Sequence, residues 1–168
     1  AGAAAGEEYR GEDRWGPVDG ASGRREGGRW GWRERERAVG AVGDGLVAIG
    51  IEPGDRIGIW APNCSEWVVT QFATAKAGLI LVNINPAYRL AELEYAVNKV
   101  GCKALIAASR FKTSDYLGML QTLAPELADA EPGKLKAAKL PSLRTVIRLG
   151  DDKTPGMFNY ADVRAMAG

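Results

Sequence analysis

Residues 54–101, GDRIGIWAPNCSEWVVTQFATAKAGLILVNINPAYRLAELEYAVNKVG, decide the fold class of this chain. Pro53-Gly54 makes a turn into a short apolar stretch, Arg56 to Trp60, of strand length. Asn63, with Glu66 three residues on, has the pattern of a capping box and predicts a helix through Ala77 that stops at Gly78. Leu79 to Ile84 is a nearly uninterrupted apolar run, the pattern of a strand covered on both faces. Leu93, Ala96, Val97 and Val100 then recur at helical spacing, and Gly101 closes that helix. Strands separated by single helices are most simply a parallel sheet with right-handed crossovers.

The alternation extends in both directions. Upstream, Ala38, Val42, Leu46 and Ile49 mark one face of a helix from about Arg35, with Gly50 at its end. Downstream, Lys103 to Ala107 is a third strand, and a helix from Thr113 to Leu123 turns Leu117, Leu120 and Tyr116 inward. Residues 125–142 make a long connection with a short helical piece around Leu135. Arg144 to Leu149 is a fourth strand, and a last helix runs from Tyr160 to Ala167. Residues 1–33 differ in kind: glycine and arginine crowd around Trp15, Trp30 and Trp32, with neither helical nor strand periodicity. Such a stretch buries too little apolar area to offset its ordering entropy, so a disordered tail is expected before an α/β unit over 34–168.

Composition excludes several functions. Twenty-two basic against 21 acidic residues leave a net charge of +1, which gives no electrostatic reason to expect nucleic acid or an anionic membrane as partner. The acids interleaved in the tail argue against an RNA-binding arm. They also argue against a mitochondrial transit peptide, since residues 1–37 hold eight acids beside eight arginines and one serine. No apolar run approaches the roughly 20 residues of a membrane-spanning helix. The chain has no histidine, and Cys64 and Cys102 stand far apart, so a Cys/His zinc site or imidazole acid–base pair is excluded.

In an open parallel sheet, ligands bind beyond the carboxyl ends of the strands. Three loops qualify: Ala61-Pro62-Asn63, Asn85-Pro86-Ala87-Tyr88 and Ser109-Arg110. Each also has a purely structural explanation, Asn63 as a helix cap and Asn85-Pro86 as a turn. Asn63, Asn85, Pro86 and Tyr88 are the candidate substrate-side residues, and Arg110 could also face a ligand. No catalytic, cofactor-binding or metal-ligating residue is assigned. Gly40, Gly43 and Gly45 do not form a phosphate loop, because no strand feeds them into a helix N-terminus; they are expected inside a helix. Cys64 stands at a helix start, where a thiolate is favoured, without a neighbouring base. Trp60 and Trp67 are expected to pack.

These residues also carry a resemblance. Gly54-Asp55-Arg56, Pro62-Asn63, the helix end at Ala73, Ala77 and Gly78, and the run Asn85 to Tyr95 resemble, in order and spacing, the N-terminal region of the AMP-forming acyl-CoA synthetases. The likeness runs from about Ala38 to the end. Phe111-Lys112-Thr113 with Tyr116, Glu131-Pro132-Gly133 with Leu135-Lys136, and Leu140-Pro141-Ser142-Leu143 resemble the mitochondrial medium-chain acyl-CoA ligase group. The resemblance implies an incomplete N-terminal part of the family's large domain, with fatty acid and coenzyme A as substrates and ATP with Mg²⁺ as the activating pair. It also implies a mitochondrial location. The family's Ser/Thr/Gly-rich loop ending in Pro-Lys-Gly has no match here, and neither Lys134 nor Lys153 lies in such a loop. The expectation is a fragment inactive alone; the alternative is a non-catalytic short isoform that binds an acyl ligand or protein partner. Two departures stand out: GGRWGWRERER before Ala38, and Arg89 where relatives place a Thr or Ser cap.

Overall fold

The computed structural model describes residues 31–150 and 152–167. The expected disordered tail lies mostly outside these residues, but Trp32 and Arg33 already belong to the first helix, α1 (Trp32–Ala48). Then follow β1 (Arg56–Trp60), α2 (Ser65–Lys76), β2 (Ile80–Asn83), α3 (Leu90–Val100) and β3 (Ala104–Ala107). A small hairpin, β4 (Arg110–Phe111) with β5 (Ser114–Asp115), precedes α4 (Tyr116–Leu123). The chain continues through β6 (Thr145–Arg148), β7 (Phe158–Asn159) and α5 (Tyr160–Ala165).

Five strands form one sheet in the order β2-β1-β3-β6-β7, and every pairing in it is parallel. The expected α/β class with a parallel sheet and helical crossovers is what the chain adopts. From β1 the chain steps to β2, then returns past β1 to β3. Right-handed crossovers in opposite directions put their helices on opposite faces. Accordingly α1 packs with α2 and α5, while α3 packs with α4. Between the layers lie Ile57, Ile59, Leu105, Ile106, Val146 and Ile147, all essentially fully buried.

Several local expectations are corrected. The apolar run Leu79 to Ile84 is not covered on both faces: β2 is an edge strand, and Ile80 is 47% exposed. Its composition reports apolar character, not the number of its neighbours. The cap of α2 is Cys64 rather than Asn63, because Cys64 has the extended backbone that immediately precedes the helix. Glu66 accepts a hydrogen bond from the Ser65 hydroxyl instead of closing a capping box. The helix expected from Thr113 starts at Tyr116, since Lys112 at φ 53° turns the chain into the hairpin. Asp115 then caps α4 by accepting from the Gly118 amide. The short helical piece of the long connection is a 3-10 turn at Pro125–Ala128, while Leu135 is buried outside any helix. β7 was not expected at all: two residues carry too little pattern to register.

Arg89 does cap α3 without a side-chain bond, but Glu92 Oε2 accepts from its amide at 3.2 Å and supplies half of a capping box. Gly101 ends α3 at φ 64°, a left-handed conformation that glycine adopts without a Cβ penalty. The glycines of α1 belong to a helix, as expected, and their use is close approach. A Cβ on Gly45 would stand 1.9 Å from the Val163 carbonyl oxygen of α5, whereas one on Gly40 would meet only the Lys76 ammonium at 3.5 Å. Tyr160 at the start of α5 is buried, with its hydroxyl 2.9 Å from Thr70 Oγ1 of α2 and able to donate to Glu66 O at 3.4 Å. Burial pushes that hydroxyl's pKa up.

At the amino ends of the strands, Asp55 accepts from Lys103 Nζ at 2.7 Å and from the Glu52 amide at 2.8 Å. This ties the turn before β1 to the start of β3. Partial burial acts to raise the Asp55 pKa, but the Lys103 hydrogen bond, the Glu52 amide and the Lys103 charge outweigh it and hold the carboxyl below its ordinary value.

Two predictions follow from this packing. Gly45→Ala should destabilise the chain by about 1–3 kcal/mol through overpacking against α5, while Gly40→Ala should be neutral or stabilise it by up to about 1 kcal/mol; urea midpoints of the two variants give the comparison. For Asp55, a depressed folded pKa means that its stabilisation is present above the unfolded value of about 3.9 and is lost as pH falls through the folded value. Asp55→Asn should therefore cost about 1 kcal/mol at pH 7. The gap in Tm between the variant and the original chain should close below about pH 4.

Candidate functional site

The strand order reverses between β1 and β3, and the crevice beyond their carboxyl ends is where an open parallel sheet usually takes its ligand. Two buried aromatic side chains stand at this end of the sheet. Trp60, the last residue of β1, is 0% exposed, and Tyr116, the first of α4, is 1% exposed. Their ring centroids stand 4.4 Å apart at 54°, a close, tilted aromatic pair. Each carries one polar hydrogen, and both hydrogens go to the same loop. Trp60 Nε1 donates to Asn85 O at 3.1 Å, and the Tyr116 hydroxyl donates to Pro86 O at 3.0 Å. Burial raises the Tyr116 pKa, with the Arg89 charge acting weakly against it, so the phenol stays protonated as that bond requires.

The loop is closed from within as well. Asn85 Oδ1 accepts from the Ala87 amide at 2.9 Å, an Asx turn, and Asn85 O accepts from the Tyr88 amide at 3.0 Å. Asn85 and Pro86 are exposed, and Tyr88 is half-buried against the core. Asn63 is also exposed, one residue ahead of the α2 cap. The three loops thus share one end of the sheet, while their candidate residues have different surroundings. Arg110 lies in the hairpin, where it pairs with Asp115 at 3.7 Å across an exposed surface.

Cys64 does not become a thiolate at the helix start. Burial first, and the Glu66 charge after it, push its pKa up to about 12. Cys102 is fully buried and pushed up to about 11, again mainly by burial. Among the described residues no three His, Cys, Asp or Glu side chains gather where a metal ion could sit. The loop amides of Ala87 and Tyr88 are already bonded, and Pro86 has none, so these three residues offer no backbone donor to a phosphate.

Sequence reasoning missed a polar pair next to this region. Arg148, at the carboxyl end of β6, is 7% exposed. Its guanidinium donates to Thr154 Oγ1 at 2.9 Å and to Leu149 O at 3.3 Å, and stands 3.7 Å from Asp152. Asn159, at the end of β7, donates to Gly150 O and Asp152 O and caps α5 by accepting from the Ala161 amide. Together they hold the connection between β6 and β7. The one available signal was an arginine ending an otherwise apolar strand.

Comparison with known proteins settles the family. Residues 10–162 match the family model described as AMP-binding enzyme. The chain belongs to the AMP-binding enzyme family. The match reaches back to residue 10, well upstream of Ala38, so GGRWGWRERER lies inside the family region rather than before it. The chain is 50% identical over 119 residues to the mitochondrial medium-chain acyl-CoA ligase of Danio rerio, covering 71% of this chain and 20% of that protein. Against the Homo sapiens protein of the same name it is 48% identical over 127 residues, covering 76% and 20%. Among solved structures, the acetoacetyl-CoA synthetase of Streptomyces lividans aligns with a TM-score of 0.65 at 25% identity, over 80% of this chain and 20% of that one. The chain thus matches about one fifth of the length of these AMP-binding relatives.

Proposed function

We propose that this chain forms the opening framework of an enzyme that activates medium-chain fatty acids and passes the acyl group to coenzyme A in mitochondria. The observation that carries this reading is identity near one half, over most of the chain, with two proteins named as mitochondrial medium-chain acyl-CoA ligases. ATP, with Mg²⁺, supplies the leaving group that makes a carboxylate reactive, and coenzyme A supplies the accepting thiol. The described residues have a different part in the reaction. The parallel sheet and its helices set the positions of the loops bearing Asn63, Asn85, Pro86 and Tyr88, which form the substrate side of the framework. The bonded loop amides and the raised Cys64 pKa support a framework that positions rather than reacts. On this reading the 168-residue chain does not turn over substrate by itself.

ATP–pyrophosphate exchange dependent on a medium-chain fatty acid tests both halves of the proposal. The 168-residue chain should give no exchange above background. The longest gene product that carries this segment should give exchange and be protected from protease in isolated mitochondria. Exchange by the short chain alone would overturn its role as framework, and a longest product without fatty-acid-dependent exchange would overturn the ligase assignment.

A further inference from the structure

Thr154-Pro155 is the one place in the 168 residues where a serine or threonine precedes a proline. It lies in the connection between β6 and β7, with Lys153 and Pro155 exposed and Thr154 half-buried. The Met157 amide donates to Thr154 O at 3.2 Å, and Gly156 at φ 73° lets Pro155-Gly156 take the two middle places of a tight turn. Thr154 therefore stands at a surface corner, followed by a residue that has no amide hydrogen. A Ser/Thr kinase whose pocket after the acceptor residue asks for no N–H reads this pair.

Beneath the hydroxyl is a cation. Arg148 is 7% exposed, and its Nη1 donates to Thr154 Oγ1 at 2.9 Å. Its Nε donates to Leu149 O at 3.3 Å, while Nη2 stands 3.7 Å from the Asp152 carboxylate, too far for a hydrogen bond. The Asp152 side chain is 90% exposed, so this buried charge has only a distant, solvated counterion. Buried charges are stabilised by close, hydrogen-bonded partners. A phosphate on Oγ1 puts ionised oxygens one P–O bond beyond an atom that the guanidinium already touches, which suits the planar fork for a two-point contact. We propose that Thr154 is a phosphorylation site and that Arg148 receives the phosphate. In the transfer, Thr154 Oγ1 attacks the γ-phosphorus of ATP. The new O–P bond forms as the bond to the β-phosphate oxygen breaks, ADP leaves, and the hydroxyl proton passes to the kinase's base. The neutral contact becomes a charge-assisted one, Asp152 is displaced into water, and the connection ahead of α5 tightens.

The test uses the 168-residue chain, ATP and a purified mitogen-activated-type Ser/Thr kinase. Intact mass and fragment mapping should show a single phosphate, on Thr154, in the original chain and none in Pro155→Ala, which keeps the hydroxyl. Amide hydrogen exchange then reads the partner. In the phosphorylated chain, exchange at Met157, whose amide closes the turn, should slow by about three- to tenfold, with the Ile59 amide of β1 unchanged. Arg148→Gln keeps a donor for the Thr154 hydroxyl and loses the charge. Phosphorylated to the same extent, that variant should show no slowing at Met157.

No phosphate on Thr154 in the folded chain would overturn the modification site. Phosphate with Met157 exchange unchanged or faster would overturn Arg148 as its partner, and so would equal slowing in Arg148→Gln. If Arg148→Gln fails to fold, the phosphorylated and unmodified forms of the original chain still decide, because only an attraction tightens the turn. None of these readouts needs ligase activity, so the site stands or falls apart from the ligase assignment.

Discussion

The paired hydrogen bonds from Trp60 and Tyr116 to one loop are the constraint on which the functional end of this molecule depends. An indole N–H or a phenol O–H buried without a partner costs about 1–3 kcal/mol. The chain therefore cannot bury these rings at the reversal point unless acceptors are brought to them. The acceptors are the carbonyls of Asn85 and Pro86. Burying the two rings and fixing the loop are thus one event.

The rest of the framework serves this arrangement by holding β1 in place. Its partners β2 and β3 fix it laterally in register. The Asp55–Lys103 pair fixes its entry, and the ladder extends past its end through Ala108, whose amide donates to Trp60 O at 3.1 Å. Above the sheet, α1 reaches α5 closely because Gly45 has no Cβ, and Tyr160 ties α5 to α2. The opposite edge of the sheet is less finished. Ile80 on β2, with Val68 and Phe72 on the outer face of α2, leaves apolar surface exposed beside an open strand, an arrangement that proteins usually blunt with charge or cover.

Legibility in the sequence followed the range of the physics involved. Local alternation of apolar and turn residues was enough for the parallel class, for β1 at Arg56–Trp60, and for the inward residues Tyr116, Leu117 and Leu120 of α4. The turn at Asn85-Pro86 was equally legible, because an Asx turn is made within three residues. What failed was anything set by distant neighbours or by a single backbone angle. The run Leu79 to Ile84 gives no sign that one of its sides lacks a strand. Cys64 takes the cap position because of its backbone conformation, not its side chain. The hairpin before α4 turns on one left-handed residue, Lys112. The loop-holding roles of Trp60 and Tyr116 join residues 25 and 30 positions apart in sequence, and no spacing rule connects them. Arg148 was hidden for the same reason, since its partners lie in a connection that has no pattern of its own.

The most direct test of this account is a double-mutant cycle on Trp60→Leu and Tyr116→Leu, measured by equilibrium urea unfolding of the described chain. If the two rings work as one support, the single losses should fail to add, with a coupling of about 0.5–1.5 kcal/mol. Losses that add to within about 0.3 kcal/mol would show that the rings act independently, and the account of a single aromatic support for the Asn85–Tyr88 loop would be wrong.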